Sequence, residues 1–183
     1  MKIKSVLLVL LISCTTLFAQ KSVIEIPDRY SNDIGQMISM LDDLKGRVER
    51  NVANLNQEET DFLLDENANS PGAIIYHLAA TEAYYQVYTF EKRGFNAKEA
   101  KKWSAALNLG DNARQEFKGK PMSYYIDIYN EVRAKTKELL KTKDDKWFKK
   151  KVRNMSNHWA WFHVMEHQAN HMGQLALIVK RIK

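Results

Sequence analysis

The stretch NHWAWFHVMEHQANHMGQLALIVKRI, from Asn157 to Ile182, carries the strongest structural signal in the chain. It contains no proline, and its apolar positions Trp161, Val164, Leu175, Ile178 and Ile182 recur at helical spacing, which predicts one long helix. His163, His167 and His171 recur every four residues along it. At about 100° per residue, each step of four advances about 40°, so the three imidazoles share one stripe. Two imidazoles one turn apart can grip the same cation, because both lean over the same patch of helix surface. His163 with His167 and His167 with His171 both meet that spacing. A histidine stripe turned toward a core costs free energy unless each ring nitrogen finds a partner. A metal would satisfy one nitrogen of each ring, and a carbonyl, Tyr84 or Glu166 could take the other.

Working toward the N-terminus, three more long helices are expected. One runs from about Tyr30 to about Asn51, with Ile34, Met37, Ile38, Leu41, Leu44 and Val48 three and four apart and Asp28 or Ser31 as cap. A polar loop follows from Asn54 to Asn69. The second helix starts at Ser70-Pro71, a good cap followed by a proline suited to the first helical position, and ends before Gly94. The third starts near Met122 and carries Tyr125, Ile128, Tyr129, Val132, Leu139 and Leu140. The connection from Gly94 to Pro121 is long, with Ala97 to Leu107 helical in its own right. Such a link lets the third helix run parallel to the second. No segment reads as a strand. The fold class is therefore all-α, a four-helix bundle with a long crossover between helices 2 and 3.

His77 sits in the middle of the second helix, among Ile74, Leu78 and tyrosines. If the second and fourth helices face each other, it can supply a third ligand. Three imidazoles leave positions open for water or substrate, the pattern of a catalytic rather than a structural zinc site. Binding through imidazoles should weaken as pH falls through about 6.5, because the ligands must be neutral.

Composition narrows the remaining choices. The chain has 183 residues, 45% hydrophobic and 27% charged, which is a globular balance for one domain. A single cysteine, Cys14, excludes a disulfide framework and any multi-cysteine metal site. No phosphate-binding glycine loop or serine elbow is present. Ten basic residues lie between Arg133 and Arg153, and they read as a solvated helix end and loop. No nucleic-acid partner is expected.

Residues 1–19 read as a secretion signal, with Lys2 and Lys4 ahead of the apolar run Val6 to Ile12 and Ala19 at the end. Leu11-Ile12-Ser13-Cys14 also resembles a bacterial lipobox, so membrane attachment is expected only if Cys14 is lipidated. The expected location is exported, periplasmic or extracellular, either as a free protein or as a lipoprotein. Residues 24–183 form the domain.

Glu166-His167 followed by His171-Met172-Gly173-Gln174 resembles the His-x-x-x-His-x-Gly-Gln signature of the DinB-like superfamily. The resemblance extends to His77 behind Ser70-Pro71, and to the crossover stretch Lys102 to Gly110. It covers about Arg29 to Ile182. It implies a four-helix bundle with a long crossover, a divalent metal held by His77, His167 and His171, and in several members a homodimer. Some members are metal-dependent transferases acting with small thiols. Zinc or nickel suits imidazole ligands. His163, Glu166 and Gln174 are candidates for an extra ligand or for groups that orient the ligands. Gly173 costs about 1 kcal/mol in a helix relative to alanine, which predicts close approach of a neighbouring helix.

Two functions are expected from this reading. One is a metal-dependent hydrolase or transferase acting on a small molecule. The alternative is a non-catalytic envelope protein with a structural metal or a ligand-binding role.

Overall fold

The structure is a computed structural model and describes residues 23–182. The segment 1–19, Cys14 and the cleavage point after Ala19 lie outside the described residues.

The first long helix, α1, spans Asn32–Val52 and buries Ile34, Met37, Ile38, Leu41, Val48 and Val52 along one stripe. Ser31 is its N-cap residue, yet its hydroxyl makes no cap bond. It donates instead to Asp145 Oδ1 at 2.5 Å, and the same oxygen accepts the Asp33 and Ile34 backbone N–H groups at 3.0 and 3.4 Å. The end of α1 is thus capped by a residue more than a hundred positions away. The polar loop before the second long helix contains a short turn, α2 (Gln57–Thr60), closed by a reciprocal Asn56–Glu59 capping box.

The second long helix, α3, spans Pro71–Gln86, with Ser70 accepting from the Ala73 N–H as expected. A π-helical turn, Val87–Glu91, continues it. Almost every residue of α3 is buried, polar ones included. A helix apolar on all sides belongs in the centre of a protein, and α3 meets partners on three sides. On one side lies the crossover helix α4 (Ala97–Asn108), whose Trp103 meets the Tyr76 ring at 5.5 Å. A second crossover helix, α5 (Gly110–Glu116), follows a break at Leu109 and Gly110, both with positive φ. The crossover is therefore a wall over α3, not a slack link.

Two long helices complete the frame: α6 (Met122–Lys141) and, after a short helix α7 (Asp145–Lys149), α8 (Asn157–Ile182). Residues 72, 82 and 86 of α3 meet residues 125, 133 and 136 of α6 in that order, so these two helices run parallel. The long crossover permits this direction. Gly72 is required where they meet, because a Cβ there would lie 2.6 Å from the Tyr125 ring. His77 meets His167 and His171, while Tyr85 meets His163, so α3 and α8 run antiparallel.

The expectation of no strand is corrected. Lys151–Val152 (β1) pairs antiparallel with Met155–Ser156 (β2), Lys151 opposite Ser156 and Val152 opposite Met155. Arg153 adopts φ 54° at the turn. Glycine would normally mark such a reversal, and its absence hid the hairpin.

Candidate metal centre

Three imidazoles meet between α3 and α8. His77 Nε2 lies 3.0 Å from His167 Nε2, and His171 Nε2 lies 3.2 Å from the same atom. All three candidate ligand atoms fall within 4.8 Å of one another. The helix geometry explains the convergence. His167 and His171 stack one turn apart on α8, and α3, antiparallel to it, presents His77 from across the interface.

Each outer ring is oriented by a partner on its far nitrogen. His77 Nδ1 donates to the Ala106 carbonyl of α4 at 2.9 Å. His171 Nδ1 donates to Gln174 Oε1 at 2.8 Å. A neutral imidazole carries one hydrogen, so in both rings Nε2 is left with a lone pair. His167 Nε2 can carry a hydrogen toward one neighbour but not toward both. At least one of these close N···N contacts therefore sets two lone pairs against each other. A divalent cation among the three nitrogens removes that conflict. Imidazoles bound tetrahedrally at about 2.0–2.1 Å would hold their nitrogens about 3.3 Å apart, close to the two spacings made by His167, and the three atoms together lie within 4.8 Å. The donor set fits a divalent metal.

Electrostatics point the same way. Burial lowers the His77 pKa to about 4, with His171 nearby adding to the effect and the Ala106 carbonyl opposing it. Burial lowers His167 to about 3, helped by its histidine neighbours, and lowers His171 against the opposing Gln174 bond. All three rings are neutral near pH 7, the form in which imidazole ligates.

The other sequence candidates fall into distinct places. His163 is not one of the three grouped rings, although its centroid lies 5.8 Å from that of His167. Its Nδ1 pairs with Glu166 Oε1 at 2.8 Å, and its ring stacks on Trp159 at 5.2 Å between centroids. The pair that gathers around His77 is thus His167 and His171, not His163 and His167. Glu166 reaches His163 and Asn170 rather than a ring of the cluster. Tyr84 packs against Tyr85, Tyr88 and Phe95. Gln174 does orient His171. The expected reason for Gly173 is corrected: a Cβ there would meet nothing within 4 Å. Position 173 lies about 200° around the helix from His171, on the solvent side.

Sequence reasoning missed a buried polar network one residue from the site. Arg133 forks onto Glu82 through Nε and Nη2, both at 2.8 Å, and Nη2 also reaches Gln168 Oε1 at 3.2 Å. Arg133 Nη1 reaches Asp42 Oδ1 at 3.2 Å, and Thr136 donates to Glu82 at 2.6 Å. Burial opposes the charge on Arg133, but Glu82 beside it raises its pKa above the ordinary value. The network joins α1, α3, α6 and α8, and it pins Gln168 next to His167. Glu82, an acid in the middle of a largely apolar helix, was the available signal. Arg133 belongs to this interior and not to the exposed basic run in which its neighbours place it.

A family model described as mycothiol-S-transferase matches residues 36–183, which include every residue of the cluster. None of the curated proteins compared with the chain matches it.

Proposed function

The chain belongs to the mycothiol-S-transferase family, within the DinB-like superfamily, and from that premise we propose a metal-dependent transferase that joins a low-molecular-weight thiol to a small electrophile. In this reading the four long helices form a four-helix bundle, and His77, His167 and His171 hold one divalent cation, zinc or nickel by the preference of imidazole donors. The convergence of three Nε2 atoms, two of them fixed as lone pairs by Ala106 and Gln174, carries the proposal.

When bound, such a cation supplies a Lewis acid that favours the thiolate over the thiol. The chain's own residues do the rest. The Ala106 carbonyl and Gln174 keep the rings in the ligating tautomer. The walls of α3, α4 and α8 exclude water from one side of the rings. No cysteine lies among residues 23–182, so the sulfur that forms the new bond comes from the thiol substrate.

The test is conjugation of a small thiol such as cysteine to 1-chloro-2,4-dinitrobenzene. The new S–C bond forms as chloride leaves, and the thiol proton passes to the buffer. The full chain loaded with zinc or nickel should accelerate this reaction, and His167→Ala should abolish the acceleration. Acceleration that is equal in His167→Ala would defeat the reading. Export of the chain, with residues 1–19 as its address, is part of the same proposal. Cell fractionation with an antibody against the domain tests it, and recovery with cytoplasmic markers would refute it.

A further inference from the structure

From Lys141 to Arg153 the chain carries seven cations and two acids. Both acids are engaged as caps. Asp144 accepts the Trp147 N–H at 2.8 Å, and Asp145 caps α1. Lys150, Lys151 and Arg153 are exposed, and among the described residues none of the three makes an ion pair. The Arg153 guanidinium instead lies 5.6 Å from the centroid of the Tyr88 ring.

A run of lysines alone reads as a solvated surface. The structure adds two large apolar residues beside it. Trp159 and Phe162 are 47% and 44% exposed. They stand three positions apart in the first turns of α8, and so on one side of it. Hydrogen bonds hold the β1–β2 hairpin against these turns. The Lys150 carbonyl accepts the Asn157 N–H at 3.0 Å. Ser156, opposite Lys151 in the ladder, accepts the Trp159 N–H at 3.1 Å. A hollow of about 350 Å³ lies between Lys151 and Trp159, with Asn154, Met155 and Ser156 completing its lining.

This end of the molecule therefore sets uncompensated cations next to an indole and a phenyl ring that the core leaves in water. The headgroup layer of an anionic bilayer suits both. Tryptophan settles at that depth, and each lysine or arginine near the surface strengthens attachment about fivefold. No helix among the described residues is long and apolar enough to cross a membrane, so such contact is with the surface. Nucleic acid would also attract the cations, but the export proposed above takes the chain away from it.

We propose that the hairpin and the first turns of α8 form a docking surface for an anionic lipid bilayer. Trp159 and Phe162 enter the headgroup layer, while Lys150, Lys151 and Arg153 lie against the lipid phosphates.

The experiment measures cosedimentation of the full chain with two kinds of vesicle, phosphatidylcholine alone and phosphatidylcholine mixed with phosphatidylglycerol. Binding to the mixed vesicles should be at least about tenfold tighter. It should weaken as salt rises from about 0.1 M to about 1 M. Lys150→Glu/Lys151→Glu should lower the partition at least about tenfold, and Trp159→Ser/Phe162→Ser at least about fivefold. Brominated lipid should quench the tryptophan fluorescence of the unsubstituted chain far more than that of Trp159→Phe. All the altered side chains are exposed. Every chain carries the same residues 1–22, so a difference between them reports this end of the bundle. Equal binding to both kinds of vesicle overturns the proposal, as does binding that neither double variant weakens. Tighter binding to a duplex oligonucleotide than to the mixed vesicles at the same salt assigns the surface to nucleic acid and overturns it too.

Discussion

His77 Nε2 and His167 Nε2 lie 3.0 Å apart although 90 positions separate them in the chain. A cation held there ties α3 to α8 and binds the folded state only. Ligand binding to the native state alone stabilises it by about 2.7 kcal/mol at one hundred times Kd. Zinc should therefore raise the melting temperature of the metal-free chain. The rise should vanish in His77→Ala and persist in His163→Ala, whose ring pairs with Glu166 outside the cluster. Thermal unfolding with and without added zinc checks both expectations.

Gln174 accepts from His171 Nδ1 and fixes which nitrogen faces the cluster. Partners of this kind are worth about 10–100-fold in metal affinity. Gln174→Leu should weaken zinc binding within that range while leaving the helix intact, because position 174 is exposed. Competition with a chromogenic chelator measures the change.

The pH response follows from the lowered pKa values. In the metal-free chain His77 titrates near 4 and His167 near 3, against about 6.5 when unfolded. Between these values the unfolded chain binds more protons, so stability falls as pH falls. The contribution of these two rings is complete above about 6.5, declines below it and is lost by about 3. The neutral rings also keep their lone pairs below 6.5, so metal release should occur at lower pH than for free imidazole. Urea unfolding of the metal-free chain from pH 7.5 to 4 tests the slope. A steeper loss in the unsubstituted chain than in His77→Ala/His167→Ala is expected.

Arg133 and Glu82 are a buried, bidentate pair. Removing one partner of such a pair leaves an uncompensated charge and costs about 3–5 kcal/mol. Arg133→Met should cost about that much. Arg133→Met/Glu82→Leu should recover most of the loss, because apolar replacements of similar volume often equal a buried pair. Denaturant midpoints of the three chains report it.

The long helices were legible because their apolar residues repeat at three and four positions. For α8 the expected bounds, Asn157 to Ile182, coincide with those observed. The histidine cluster was legible for a similar reason: four-residue spacing is a local property, and His77 was the single histidine far from the others. What stayed hidden was non-local. The cap of α1 comes from Asp145, and the acceptor for His77 is a backbone carbonyl on the crossover. A carbonyl has no sequence signature. Arg133 looked like one of a run of exposed cations because the feature that buries it, Glu82, lies 51 positions earlier. Gly173 sat in a motif and invited a packing explanation, yet it faces open space.

One cation held by His77, His167 and His171 underlies the proposed activity. Elemental analysis of the full chain purified without an affinity tag measures it most directly. We predict close to one equivalent of zinc or nickel per chain, retained in His163→Ala and absent from His77→Ala. A chain that carries no divalent metal and takes up none from added zinc or nickel would contradict the account, as would full metal content in His77→Ala.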